Sequence, residues 1–446
     1  MRALILGAGT AGRQLARLLC ESGHDVVLMD LNRDALEDAE ERLDILTLQG
    51  DASSPRDLYE ARINRVDLLV AVTNRDEVNI LACVYAKAAG AEATVARVTN
   101  PDYLETHGEL DLKALGVDLV VNQQDVCARE LANVLTLPGT FEVLDLLDGR
   151  AQVVGVKVGM DNLLIRTTLR EIPERELLDR IRFIAILRGP DPLVPSGNTQ
   201  IRIGDELYFA GTPEDNRAFL KWATPDLTQF PKVVIGGGGE LGLSLALKLE
   251  EARLKTVVVE SDPHRAEHCS TALTSAMVIE GDALDPETLQ EAGVEGAAFV
   301  ASTGSDEANI MNCLLAEKQG AVFTAAQITK SSYLSLIDTL SLLDRTASPY
   351  RAMTNAVLQF VRGRSVRLAT LMHHLPGELL ETVLSPSSPL NGKRIRDGAH
   401  PKDTIIVTVE REGRILTPTG DLQLRAGDRT VWFASGKGAH KVARLT

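Results

Sequence analysis

Residues 7 to 12 read Gly7-Ala8-Gly9-Thr10-Ala11-Gly12, and Asp30 stands 18 residues beyond the last of these glycines (30 − 12). That spacing carries a chemistry. The first glycine permits a tight turn, the second lets a pyrophosphate approach the backbone, and the third lets a helix touch the preceding strand. Free N–H groups at the helix start then face phosphate oxygens. A carboxylate placed like Asp30 accepts hydrogen bonds from both ribose hydroxyls and repels a 2′-phosphate, which favours NAD(H) or another adenine nucleotide over NADP. An exposed acid at a strand end is the plainer reading of Asp30 alone.

The constellation occurs twice. Gly237, Gly238, Gly239, Glu240, Leu241 and Gly242 repeat the turn, and Glu260 repeats the acid at the same distance (260 − 242). Gly50-Asp51-Ala52 and Gly281-Asp282-Ala283 come next, where Asp51 or Asp282 either contacts an adenine edge or closes a tight turn without a ligand. Farther on, AVTNRDEVNILACVYAKAAGA from residue 71 and ASTGSDEANIMNCLLAEKQGA from residue 301 share ten of 21 positions. Thr73-x-x-Asp76 and Thr303-x-x-Asp306 fit a capping box, and the acid pairs Asp76-Glu77 and Asp306-Glu307 suit the positive end of a helix dipole. Thr73, Asn74 and Thr303 follow a strand pattern at its carboxyl end, the side on which open parallel sheets bind ligands. Arg97 either reaches the phosphates or makes an ordinary salt bridge, and its counterpart 230 residues on is Gln327.

The elements that must position these residues are legible in the apolar runs. RALIL, VVLMD, ILTLQ, VDLLVAVT and TVARV in the leading half match KVVI, TVVVE, AMVIE, GAAFVAST and TAAQI in the trailing half. Helical patterns such as RQLARLLCESG and LSLALKLEEA lie between them, so each half reads as an α/β unit with a doubly wound parallel sheet. A smaller segment of short Val/Ile strands follows each, with PSGNTQIRIGDELYFA at 195 matching PTGDLQLRAGDRTVWFA at 418. Gly204-Asp205 and Gly427-Asp428 read there as turns between strands. TPDLTQFP, residues 224–231, reads as a linker. The expected domains are 1–140, 141–223, 232–362 and 363–446.

A chain of 446 residues accommodates several such domains. The net charge of −15 and the lack of a Lys/Arg block argue against a general grip on nucleic acid, and no recognition helix is evident for a nucleotide-sensing transcription factor. The chain shows no leader pattern and no apolar run of about 18 residues, so the expectation is a cytoplasmic protein without direct membrane insertion. The five cysteines have no CxxC spacing, and Cys83 and Cys313 read as buried small hydrophobes. His24, His107, His264, His268, His373, His374, His400 and His440 are scattered. His264 and His268 share a helix face without the HExxH glutamate, which reads as a solvated face. No residue is nominated as catalytic or metal-ligating. An NAD-dependent dehydrogenase with an inconspicuous substrate site is the alternative.

The duplicated glycine turn, strand-end acid, Gly-Asp pair and TNRDEVN/TGSDEAN series, each followed by a β-rich module, resembles the TrkA family over essentially the whole chain. These are peripheral subunits of bacterial Trk potassium uptake systems, built from two tandem RCK (regulator of potassium conductance) units. The resemblance implies two Rossmann-like domains, each followed by a small α+β domain of the RCK-C type. It also implies a regulator rather than an enzyme, binding NAD(H), with ATP or ADP possible at the same sites. The implied partner is a membrane potassium transporter of the TrkH type, met at the inner face of the plasma membrane by a homo-oligomer, a tetramer being the expected ring. Gln327 in the place of Arg97 departs from the duplicated pattern.

Overall fold

RALIL forms the first strand, β1 (Arg2–Leu6), of a six-stranded parallel sheet. Four of its five residues are buried, because helices cover both faces of such a sheet and its strands are apolar throughout. The chain continues through α1 (Thr10–Glu21), β2 (Asp25–Asp30), α2 (Arg33–Glu40) and β3 (Leu46–Gln49) on one side of β1. It then passes through α3 (Pro55–Glu60) to β4 (Leu68–Ala71), α4 (Asp76–Ala88), β5 (Ala93–Arg97) and β6 (Leu119–Val121) on the other. The order β3-β2-β1-β4-β5-β6 reverses between β1 and β4, which opens a crevice beyond their carboxyl ends.

The computed structural model describes all residues except 22, 104–110, 138, 166, 190, 226–229, 341, 363–367, 372–374, 376, 399–400, 402–403, 435–437, 439–441 and 443–446. His107, His373, His374, His400, His440 and the middle of the 224–231 segment therefore lie outside the described residues.

A second six-stranded parallel sheet repeats the first, with Val233–Gly236 as its central strand, Thr256–Glu260 on one side and Ala298–Ala301 on the other. Each parallel sheet is followed by a five-stranded antiparallel sheet of matching strand order, the first spanning Thr140–Gly211 and the second Leu368–Ala434. The fold class expected from the sequence is the one observed. Cys83 and Cys313 are fully buried, and desolvation pushes both thiols up. The chain divides into two compact units, Met1–Cys127 with Ser348–Val361, and Ala128–Ala347 with Arg362–Thr446. Within the second unit, Ala151, Val153, Ile184 and Tyr208 of one antiparallel sheet share an apolar cluster with Leu379, Val407 and Val431 of the other.

The Gly-Asp pairs of the antiparallel sheets hold more than turns. Asp205 and Asp428, each with a side chain 1% exposed, take two-pronged hydrogen bonds of 2.8 Å from Arg188 and Arg411, and each also accepts a backbone N–H three residues upstream. Removing one member leaves the other's charge stranded. Because the guanidinium ends are partly solvated, Asp428→Ala is expected to cost about 2–3 kcal/mol at neutral pH, read from the urea midpoint of the full chain.

Candidate functional site

Gly7 closes β1 at φ +107°, a conformation side chains rarely adopt, and its N–H donates to the Met29 carbonyl at 2.8 Å. A Cβ on Gly12 would stand 1.8 Å from the Gly7 carbonyl oxygen, so only glycine lets α1 start this close to the turn. The N–H of Ala8 donates to Asp30 Oδ2 at 2.5 Å, and that of Asn32 to Oδ1 at 2.8 Å. The acid thus braces the turn while two of its roughly four acceptor positions stay unused among the described residues. Gly9 lies beside open space, and Thr10 and Ala11 begin α1. Gly7, Ala8, Gly9, Thr10, Ala11, Gly12 and Asp30 therefore converge on one turn.

The loop after β4 lies against that turn, since a Cβ on Gly7 would meet the Val72 carbonyl and the Thr73 nitrogen at 3.0–3.1 Å. Thr73 and Asn74 follow the carboxyl end of β4, and the expected capping box is not what forms there. The residue that caps α4 is Arg75, which makes no side-chain capping bond, and in the trailing half it is Ser305, whose hydroxyl accepts from Ala308. Thr73 lies too far upstream, and its hydroxyl and N–H both donate to Asn79 Oδ1, at 2.7 and 2.9 Å. Asn79, fully buried, donates in turn to the carbonyls of Thr73 and Arg97. Asp76 accepts from the N–H groups of Thr99 and Asn100. Asn309 and Asp306 repeat these bonds on Thr303, Gln327, Thr329 and Lys330. The repeated Asp-Glu-x-Asn motif is thus a brace that fixes the ends of β4 and β5 beside the crevice. Sequence reasoning missed it, although buried amides need four partners and the repeat of Asn79 was the available signal.

Asp51 sits in its own turn, Oδ1 accepting from the N–H and hydroxyl of Ser53 at 2.8 Å. Those bonds, with the charge of Arg75, hold its carboxyl below the usual range. Ala52 is buried beside it. Arg97 ends β5 half-buried, and its Nε is buried without a hydrogen-bond partner among the described residues. A buried guanidinium nitrogen left unsatisfied is costly, so the position fits an anionic group supplied from outside the chain. Arg13, which sequence reasoning also missed, folds back to donate to the Ala8 carbonyl at 2.7 Å.

In the trailing half Gly237, at φ +109°, and Gly242, whose Cβ would lie 1.9 Å from the Gly237 oxygen, rebuild the turn. Gly239 caps the helix that begins Glu240-Leu241, and Asp282 closes a turn onto the Leu284 N–H. Gly238 donates to Glu260 at 2.7 Å and packs on Cys269. Glu260 is 4% exposed and bonded to Arg265 at 2.8 Å. Burial pushes its carboxyl up, but Arg265 and the N–H groups of Asp262 and Gly238 outweigh that and hold it low.

Glu250 supports this half from behind, accepting the N–H groups of Thr274, Ser275 and Ala276. Burial opposes its ionisation, yet those donors bring its pKa to about 2. A folded-state pKa below the unfolded one stabilises above the unfolded value and loses that contribution as pH falls through the folded one. Glu250→Gln is therefore expected to cost about 1 kcal/mol at pH 7, after solvent screening, and the gap in melting temperature from the native chain should close between about pH 4.5 and 2.

Models of the TrkA-N domain match residues 3–123 and 233–349, and models of the TrkA-C domain match 153–224 and 379–446. The Trk system potassium uptake protein TrkA of Azorhizobium caulinodans is 31% identical over 100% of this chain and 98% of its own length. That of Halomonas elongata is 31% identical over 98% of this chain and 96% of its own. Among solved structures, the GsuK channel bound to NAD aligns with a TM-score of 0.64 at 20% identity, over 100% of this chain and 78% of that one. The GsuK RCK domain aligns at 0.63 and 19% identity, over 100% and 94%. Sequence, domain order and fold agree, and this chain belongs to the TrkA family, with its TrkA-N and TrkA-C domains each present in two copies.

Proposed function

We propose that this chain is a nucleotide-binding regulatory subunit that gates a membrane potassium transporter of the TrkH type, working as a homo-oligomer, with a tetrameric ring as the expected form. The observation that carries the nucleotide reading is the Gly7–Gly12 turn braced by the part-used Asp30 carboxylate, with Arg97, whose Nε has no hydrogen-bond partner among the described residues, at the carboxyl end of β5 in the same sheet. In this reading the turn and helix start receive the phosphates, Arg97 pairs with them, Asp30 binds the ribose, and Asp51, Ala52, Thr73 and Asn74 line the rest. NAD(H) is the preferred ligand, with ADP or ATP as the related choices. Gly237–Gly242, Glu260, Asp282 and Thr303 form the corresponding trailing crevice, where binding is weaker or different. In this reading the chain is built from four domains, 1–140, 141–223, 232–362 and 363–446, joined by the linker at 224–231.

No helix among the described residues is long and apolar enough to cross a membrane, which is consistent with attachment through a partner. A ligand shifts such an assembly only by its differential affinity for two arrangements. Each tenfold difference contributes about 1.4 kcal/mol, so sites coupled around a ring sum to a switch. The dehydrogenase alternative is set aside, because the full-length relatives carry the names of potassium uptake proteins. Mass spectrometry of small molecules released from the purified chain tests the reading. NAD(H), ADP or ATP is expected, and a chain that neither carries nor takes up any of them contradicts it.

A further inference from the structure

The two crevices share a backbone and differ in charge. Arg13, Arg75 and Arg97 of the leading half are replaced, 230 residues on, by Leu243, Ser305 and Gln327. Thr10 at the helix start becomes Glu240, which places a carboxylate where the helix dipole would otherwise attract a phosphate. Two cations are gained near the trailing strand ends, Lys330 for Asn100 and Arg265 for Ala35, and both are paired, with Glu307 at 2.6 Å and with Glu260 at 2.8 Å.

The strand-end acids differ as well. Asp30 is half-buried and accepts two hydrogen bonds. Glu260 is 4% exposed and already receives Gly238 N–H, Asp262 N–H and the Arg265 guanidinium, with the Ser261 hydroxyl at 3.5 Å. The residue equivalent to Arg265 in the leading half is Ala35, so this cation has no counterpart beside Asp30. A carboxylate has roughly four acceptor positions, which leaves Glu260 one or none for the two hydroxyls of a ribose.

We infer that each chain holds a single site for a pyrophosphate-bearing nucleotide, the leading one, and that the trailing crevice is closed to that ligand by its own Arg265–Glu260 pair and its missing arginines. The inference rests on the nucleotide reading above and deepens it. The regulator then responds to one nucleotide per chain.

Calorimetric titration of the full chain with NADH tests this. One NADH per chain is expected, any trailing affinity being weaker by about 100-fold or more. The double variant Asp30→Ala with Arg97→Gln should bind none in the same range. Restoring the leading pattern in the trailing half, with Glu240→Thr, Leu243→Arg, Arg265→Ala, Ser305→Arg and Gln327→Arg together, should raise the count to two. Two NADH per native chain, or one retained by the double variant, overturns the inference while leaving the nucleotide reading intact. A native chain that binds no nucleotide overturns both.

Discussion

Gly12→Ala is expected to abolish nucleotide binding and to destabilise the leading unit by about 3 kcal/mol or more, because it forces an overlap between backbone groups rather than between adjustable side chains. The new Cβ would lie 1.8 Å from the Gly7 carbonyl oxygen and 3.0 Å from its carbon. No rotamer relieves that contact, so either α1 moves outward or the turn opens, and both changes remove the N–H groups from the crevice. Gly242→Ala meets the same obstacle at 1.9 Å in the trailing half. It should cost similar stability, yet leave NADH affinity within a few-fold of native. Urea unfolding and NADH titration of the two variants side by side separate the roles of the halves.

Arg97→Gln is expected to behave in the opposite way, weakening nucleotide binding strongly without harm to the fold. Its Nε makes no hydrogen bond among the described residues, so the substitution removes an unsatisfied buried donor and should leave the melting temperature unchanged or slightly higher. A charge-assisted bond to phosphate contributes about 1.5–3 kcal/mol, which corresponds to a loss of roughly 10- to 150-fold in affinity. Glutamine is the informative replacement because the trailing half carries it at the equivalent position, Gln327. A variant that loses stability but keeps its affinity would assign Arg97 to the core instead.

The parallel sheets and the glycine turns were legible in the sequence because buried parallel strands are apolar along their whole length and the turns need glycine for stated steric reasons. The repeat made the reading firmer, since the same order of landmarks recurs at a nearly constant offset. Side-chain bonding between distant segments was not legible. Asp76 and Asn79 look like helix-start residues when read locally, and their partners near Thr99 and at Arg97 come together only once β4 and β5 pair. Asp205 and Asp428 likewise read as turn formers until the arginines 17 residues upstream arrive across the sheet. The difference between the two strand-end acids depends on Arg265, one turn into the following helix, and periodicity gives no sign of it.

Nucleotide is expected to enter the leading crevice and to order it. Hydrogen exchange of the full chain, measured by mass spectrometry with and without saturating NADH, tests this most directly. Slowed exchange is expected in peptides covering Gly7–Arg13 and Thr73–Arg75, with no change at Gly237–Leu243. Protection confined to the trailing turn, or none at either turn while NADH is bound, would contradict nucleotide binding in the leading crevice.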